Sequence, residues 1–175
     1  MFINPEQTLI HLELKPGYIV ADFGCGAGHY SMAAARLIGA NGKVFSFDVQ
    51  KEALDALRSH AKTVGLQTIE TILVNLEKPN GSKLKDASVD AVIIASMLFQ
   101  SDDKPAVIKE AVRILKPGGK IMIIEWNQEK GIGGPPLAMR LTREEIKRLL
   151  EAAGIPMEKE FNAGDMHFGF LFKKS

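Results

Sequence analysis

The sequence of 175 residues holds one cysteine, one tryptophan and two tyrosines. A lone thiol, Cys25, can form neither an internal disulfide nor a cysteine zinc cluster, which predicts a reducing compartment, the cytoplasm. Charge of one sign is missing too. With 22 basic and 21 acidic side chains and a net charge of +1, no global field draws the chain to nucleic acid or to an anionic membrane, although a local basic patch is still allowed. No uncharged apolar run approaches the roughly 20 residues needed to cross a bilayer. The N-terminal MFINPEQTLIHLEL has no basic stretch leading into a long apolar core, so neither membrane insertion nor a secretory leader is expected. The histidines, His11, His29, His60 and His167, lack metal-ligand spacing, which predicts no metal site. Repeats, low-complexity tracts and linkers are absent as well.

What is present is a 46% hydrophobic composition, suited to one globular domain over residues 1–175. Apolar runs that read as buried strands recur at 18–23, 43–48, 68–74, 89–96 and 120–126. Helical spacing lies between them: Leu54, Leu57, Ala61 and Val64 in one segment, Ile108, Ala111, Val112 and Leu115 in another. Asn4-Pro5-Glu6-Gln7 and Thr142-Arg143-Glu144-Glu145 read as capping boxes, and Pro117-Gly118-Gly119 and Gly154 as helix stops. Strands apolar on both faces, alternating with helices, imply a doubly wound α/β domain with a mostly parallel sheet. The segments 157–161 and 167–174, with no helix between them, predict a C-terminal antiparallel hairpin that brings the sheet to seven strands.

The stretch VADFGCGAGHYS, residues 20–31, ends the first strand and begins a helix. Such a loop offers backbone N–H groups to an anionic ligand, and glycine lets the ligand approach the main chain. A dinucleotide fingerprint needs G-x-G-x-x-G, but here Gly24, Gly26 and Gly28 are followed by His29 where the third glycine belongs. A nicotinamide oxidoreductase is thereby disfavoured. Asp48, at the second strand's end, is placed to accept hydrogen bonds from ribose hydroxyls; capping the next helix is its simpler role, and the two can coexist.

The pattern of Asp22, Gly24, Gly26, Gly28 and Asp48 resembles the class I S-adenosylmethionine (SAM) dependent methyltransferases. VNLEK after the third strand, VDAVIIASMLFQ at the fourth and LKPGGKIMIIEW into the fifth match in order. The resemblance covers nearly the whole chain and is greatest to the quinone-biosynthesis type of domain, which implies a Rossmann-like methyltransferase fold. It further implies that Phe23 to Gly28 hold the methionine portion of SAM, with Asp22 fixing the loop and helping to position the amino group. Asp48 would bind ribose and Val49 adenine, Asn75 and Leu76 would line the adenine edge, and Ser96 and Met97 would lie beneath the cofactor. Family members usually carry an acid where this chain has Asn75. An amide there still offers a donor and an acceptor, so altered affinity is expected rather than lost binding.

The implied reaction transfers a methyl group from SAM to an O, N or C nucleophile and releases S-adenosyl-L-homocysteine. No Asn-Pro-Pro-aromatic sequence follows the fourth strand, which argues against DNA and protein-amide acceptors, and the single cysteine argues against RNA cytosine-5 and arsenite chemistry. A small-molecule acceptor is the first expectation. Another RNA or protein site, or a non-catalytic SAM-binding subunit, is the alternative. Tyr30, Phe99, Trp126, Arg140 and His167 are candidates to face the acceptor, Arg140 as a cation for an anionic one. His29, Glu125 and His167 are candidate bases, though a surface or supporting role is simpler for each. Cys25 reads as packing. The long stretch 127–141, with Gly131, Gly133 and Gly134 for freedom and Pro135 and Pro136 for stiffness, predicts either a lid that closes with the N-terminal MFINPEQ or a plain connection.

Overall fold

The computed structural model describes residues 4–128 and 133–175. Gly131 and the N-terminal Met1, Phe2 and Ile3, which the lid expectation included, lie outside the described residues. Seven strands, β1 (Ile19–Phe23), β2 (Lys43–Asp48), β3 (Ile69–Leu73), β4 (Val89–Ala95), β5 (Leu115–Trp126), β6 (Met157–Asn162) and β7 (His167–Lys173), form one sheet in the order β3-β2-β1-β4-β5-β7-β6. All neighbours through β5 run parallel, and β7 is antiparallel to both β5 and β6. This is the doubly wound sheet with a terminal hairpin that the patterning predicts.

Helices α1 (Pro5–Leu9), α2 (His29–Ile38), α3 (Lys51–Thr63), α4 (Lys104–Ile114) and α5 (Arg143–Ala152) complete the described fold with short 3-10 turns. On one face, Leu9 and Leu12 pack with Ala33, Ala34 and Ile38 of α2 over Val20, Ile93 and Ile124 of the sheet. On the other, Ile108, Ala111 and Ile114 of α4 and Ile146 and Leu150 of α5 cover Val92, Ile94, Ile121, Ile123 and Phe170. The central strands are apolar on both faces because both are covered. The outer strand β6 carries Glu158, Lys159 and Glu160 in the open, which discourages pairing with another chain at that edge.

Two local expectations change. Asn4 caps α1 by accepting N–H bonds from Glu6 and Gln7, but only Thr142 and Glu145 make the reciprocal capping box. The Lys116–Gly119 turn belongs to β5 rather than preceding it. Pairing passes from Val89–Leu115 to Ala91–Lys120, so the intervening residues bulge. They are held by a Gly118 N–H bond to the Lys174 carbonyl and a Lys174 N–H bond to that of Gly119, at 2.8 and 2.9 Å. A side chain at Gly119 would press to 2.9 Å from the Asp90 carbonyl, so only glycine lets the bulge lie flat.

The strand order fixes where a ligand can enter. From β1 the chain moves outward through β2 to β3, then returns to place β4 on the other side of β1. The connections that leave the carboxyl ends of β1 and β4 therefore diverge, and a crevice opens between them.

Candidate functional site

The crevice is a cavity of about 810 Å³. Its walls include Gly24 and Gly26 after β1, Asp48 and Val49 after β2, Asn75 and Leu76 after β3, and Ser96 and Met97 after β4. Topology thus gathers eight of the eleven residues singled out for donor binding. The other three lie behind the wall. Phe23 is buried with its ring edge-on to Phe47, Gly28 starts α2, and Asp22 is buried beneath the loop.

The three loop glycines serve different ends. All have positive φ, of 66° at Gly24, 50° at Gly26 and 78° at Gly28, which L side chains rarely adopt. A Cβ at Gly24 would lie 2.4 Å from Met97 Cγ, and one at Gly28 would lie 2.2 Å from Leu57 Cδ1. Those two are glycine because protein packs against them. A Cβ at Gly26 would meet nothing within 4 Å, so its backbone alone stands open. Gly24 and Gly26 both line the cavity, and of the three only Gly26 has open space where a side chain would stand.

Asp48 ties this loop to the next strand. Its Oδ2 accepts the Gly26 N–H at 2.8 Å and its Oδ1 accepts the Gln50 N–H at 2.9 Å. The helix cap proper is Gln50, so Asp48 supports the turn before α3. A carboxylate offers about four lone-pair directions, which leaves two for hydroxyl donors. Val49 beside it is 65% exposed, a large apolar surface at the rim of a cavity. Asn75 Oδ1 accepts the Glu77 N–H at 2.8 Å, which leaves the NH₂ end as the side chain's donor.

Asp22 accepts the Ser31 hydroxyl at 2.6 Å, and Ser31 in turn bonds Ser46 at 2.7 Å. Burial, opposed by the Ser31 bonds, pushes its carboxyl up to about 6. Burial likewise raises the Cys25 thiol, followed by the charges of Asp22 and Asp48, so Cys25 is poor in thiolate although it lines the cavity.

Trp126, at the end of β5, forms the far wall with His167 of β7, their ring centroids 4.0 Å apart. Burial, then the nearby Arg140, lowers the imidazole to about 4, so His167 is uncharged at neutral pH. Tyr30 also lines the cavity, its hydroxyl buried close to Thr8. His29 is an exposed part of the same wall. Pro5 of α1, and Ser101 and Asp102 after β4, also line it. Nothing in the local pattern of the last two marks them; the turn after β4 brings them in.

Phe99 and Arg140 sit elsewhere. Phe99 lines a larger groove of about 1170 Å³ between α4 and α5, where none of the glycine loop or Asp48 is found. Arg140 is buried, its guanidinium donating to the carbonyls of Asn127 at 2.7 Å, Pro135 at 2.9 Å and Gly133 at 2.5 Å. It fastens the described flanks of the 127–141 stretch and is not itself part of the cavity wall, although it stands 5.6 Å from the centroid of the Trp126 ring that is. Gly134 is likewise a packing glycine, since a Cβ there would come within 2.5 Å of the Trp126 ring.

Glu125 is fully buried and is not part of the cavity wall, which removes it as a base in direct contact with an acceptor. Oε1 accepts the Leu98 N–H at 2.9 Å, and Oε2 has no hydrogen-bond partner among the described residues. Burial, only partly offset by the surrounding N–H groups, pushes its carboxyl up from 4.5 to about 7. The native chain then keeps a proton that the unfolded chain has released. Stability from this group is full below pH 4.5 and is lost as pH rises to about 7. The thermal midpoint of Glu125→Gln, compared with wild type between pH 5 and 8, should lack this component of the decline; parallel curves would show that the carboxyl does not titrate there. Among the described residues, no group of three or more His, Cys, Asp or Glu side chains is arranged to hold a metal.

A methyltransferase-domain family matches residues 14–162. A demethylmenaquinone methyltransferase of Bacillus cytotoxicus is 32% identical over 129 residues, 73% of this chain and 53% of that protein. The chain thus spans about half the length of the curated relatives it matches. Among solved structures, a SAM dependent methyltransferase from Aquifex aeolicus superposes with a TM-score of 0.91 at 29% identity, covering 99% of this chain and 91% of that one. A putative type 11 methyltransferase from Sulfolobus solfataricus gives 0.77 at 28% identity, covering 100% and 95%.

Proposed function

The chain belongs to the methyltransferase-domain family, and we propose that it transfers a methyl group from S-adenosylmethionine to a nucleophile of a small molecule, releasing S-adenosylhomocysteine. The observation that carries this reading is the open backbone of Gly26 held to the Asp48 carboxylate in the wall of an 810 Å³ cavity. That arrangement fits an adenosine with free ribose hydroxyls. Asp48 accepts the hydroxyls through its remaining lone pairs, and exposed Val49 lies against the adenine. The Asn75 amide donates at the adenine edge with Leu76 beside it. The loop from Phe23 to Gly28 receives the methionine portion, its backbone at Gly24 and Gly26 on the cavity side. Ser96 and Met97 form the floor, and buried Asp22 anchors α2 under the loop through Ser31.

When bound, SAM would supply a methyl carbon activated by its sulfonium for transfer to an electron pair on an O, N or C atom of the acceptor, with S-adenosylhomocysteine as the leaving group. The chain's own task is to align the acceptor and exclude water. Trp126 and His167 give two uncharged rings, tilted 44° to one another, against which a planar acceptor can rest. This wall, together with the activity named for the Bacillus relatives, favours an aromatic small molecule. Residues 1–175 act as one domain on this reading. No helix among the described residues is long and apolar enough to cross a membrane, and we place the protein in the cytoplasm on its single cysteine.

The test uses Trp126, the one tryptophan, as the reporter. S-adenosylhomocysteine should change its fluorescence and raise the melting temperature, by about 2.7 kcal/mol of added stability at a hundredfold excess over Kd. NADH should do neither. The reverse pattern would replace the reading with a nicotinamide enzyme. Transfer of labelled methyl to quinone-like acceptors would then establish the acceptor class.

A further inference from the structure

Glu125 lies one layer behind the cavity, and its contacts lead into it. The chain leaves β4 through Ser96, at an unusual φ of 52°, with its N–H bonded to the Ile124 carbonyl at 2.8 Å. Met97 follows and packs where a side chain on Gly24 would otherwise lie. Next comes Leu98, whose N–H is held at 2.9 Å by Glu125 Oε1. Leu98 opens a 3-10 turn to Gln100, closed by the Gln100 N–H on the Met97 carbonyl at 3.2 Å. Met97, on the turn after β4, and Gly24, in the loop after β1, thus pack against each other in the cavity wall.

We propose that Glu125 is a positioning residue for methyl-donor binding: by fixing the Leu98 N–H it sets Met97 against Gly24 and so holds the glycine loop at the height the donor requires. A hydrophobic residue would fill this space at lower cost, because a fully buried carboxyl with one unpartnered oxygen is expensive. A carboxyl retained there is explained by the N–H it fixes. Among the described residues, no cation pairs with it to account for it. Arg140 is bonded to three loop carbonyls, Arg143 to Glu160 and Asn127, and Lys104 to the Ser101 carbonyl.

The inference rests on the donor reading above, and the experiment separates the two. S-adenosylhomocysteine affinity is measured by calorimetry for wild type, Glu125→Ala, Glu125→Gln and Phe168→Leu, with the thermal midpoint of each. Phe168 is buried and sits opposite Glu125 in the β5–β7 register, in the same core as Leu98, so its truncation loosens that core while leaving the carboxyl–Leu98 hydrogen bond in place. Glu125→Ala should weaken binding about tenfold, the scale of one lost hydrogen bond that holds the floor. Glu125→Gln, which keeps an acceptor for Leu98, should return affinity to within about threefold of wild type, and Phe168→Leu should bind as wild type while melting earlier. If the alanine variant does not fold, Glu125→Asp serves in its place, its oxygen stopping one methylene short of Leu98. Wild-type affinity in the alanine or aspartate variant, failure of glutamine to restore it, or equal weakening in Phe168→Leu would overturn the inference. Absence of binding by the wild type would instead overturn the donor reading and this inference with it.

Discussion

Valine at position 26 is expected to abolish S-adenosylhomocysteine binding, with a loss of at least about a hundredfold, while the sheet stays folded. The added side chain grows into open space, since nothing lies within 4 Å of its Cβ. It therefore fills the ligand's place without displacing protein. Its cost to the fold is the φ of 50°, on the order of 1–2 kcal/mol for a residue with a Cβ. Gly24 and Gly28 should behave differently. Alanine at either must push aside Met97 or Leu57, so instability should come first and any loss of affinity second. Calorimetry and circular dichroism on Gly26→Val, Gly24→Ala and Gly28→Ala make the comparison. A folded Gly26→Val that binds with wild-type affinity would mean that this part of the loop is a turn and nothing more.

The fold was legible because its signals are local and repeated. Strands buried on both faces, such as VDAVIIAS, and helices with three-and-four spacing need no long-range knowledge, and the hairpin announced itself by two runs with no helix between them. The candidate site was legible for a related reason: doubly wound sheets place ligands at strand carboxyl ends, which points to Gly26 and Asp48, while Met97 and the methyl donor itself came from the family resemblance. What escaped was the direction of side chains beyond the strands. Arg140 reads as an available cation, but three carbonyls of its own loop claim it. Phe99 is two residues from Met97 yet lines the α4–α5 groove, because the 3-10 turn rotates it away. Glu125 and Trp126 are neighbours on β5 and so face opposite sides of the sheet, one behind the cavity and one in its wall. Nor does sequence reveal that Gly24 and Gly28 are glycine for Met97 and Leu57, residues 73 and 29 positions further along the chain.

Removal of the Asp48 carboxylate should cost the second largest share of affinity. Alanine there takes away the acceptors for the Gly26 and Gln50 N–H groups as well as those available to ribose. Hydrogen bonds to a charged group are worth about 1.5–3 kcal/mol, so Kd for S-adenosylhomocysteine should rise roughly 10- to 150-fold. Stability should fall much less, because both orphaned N–H groups sit beside an open cavity and can bond water. Asparagine separates the two roles. It keeps one acceptor oxygen and replaces the other with an NH₂ that cannot accept from a backbone N–H, so one of the two loop bonds must be lost. Its affinity should lie between those of wild type and alanine. An asparagine variant as weak as alanine would show that the charge itself is required, and a folded alanine variant with unchanged Kd would take Asp48 out of the donor site. In the latter case Asp48 would serve only to fasten the loop after β1 to the turn before α3, and the adenosine assignment would have to rest on Val49 and Asn75 alone.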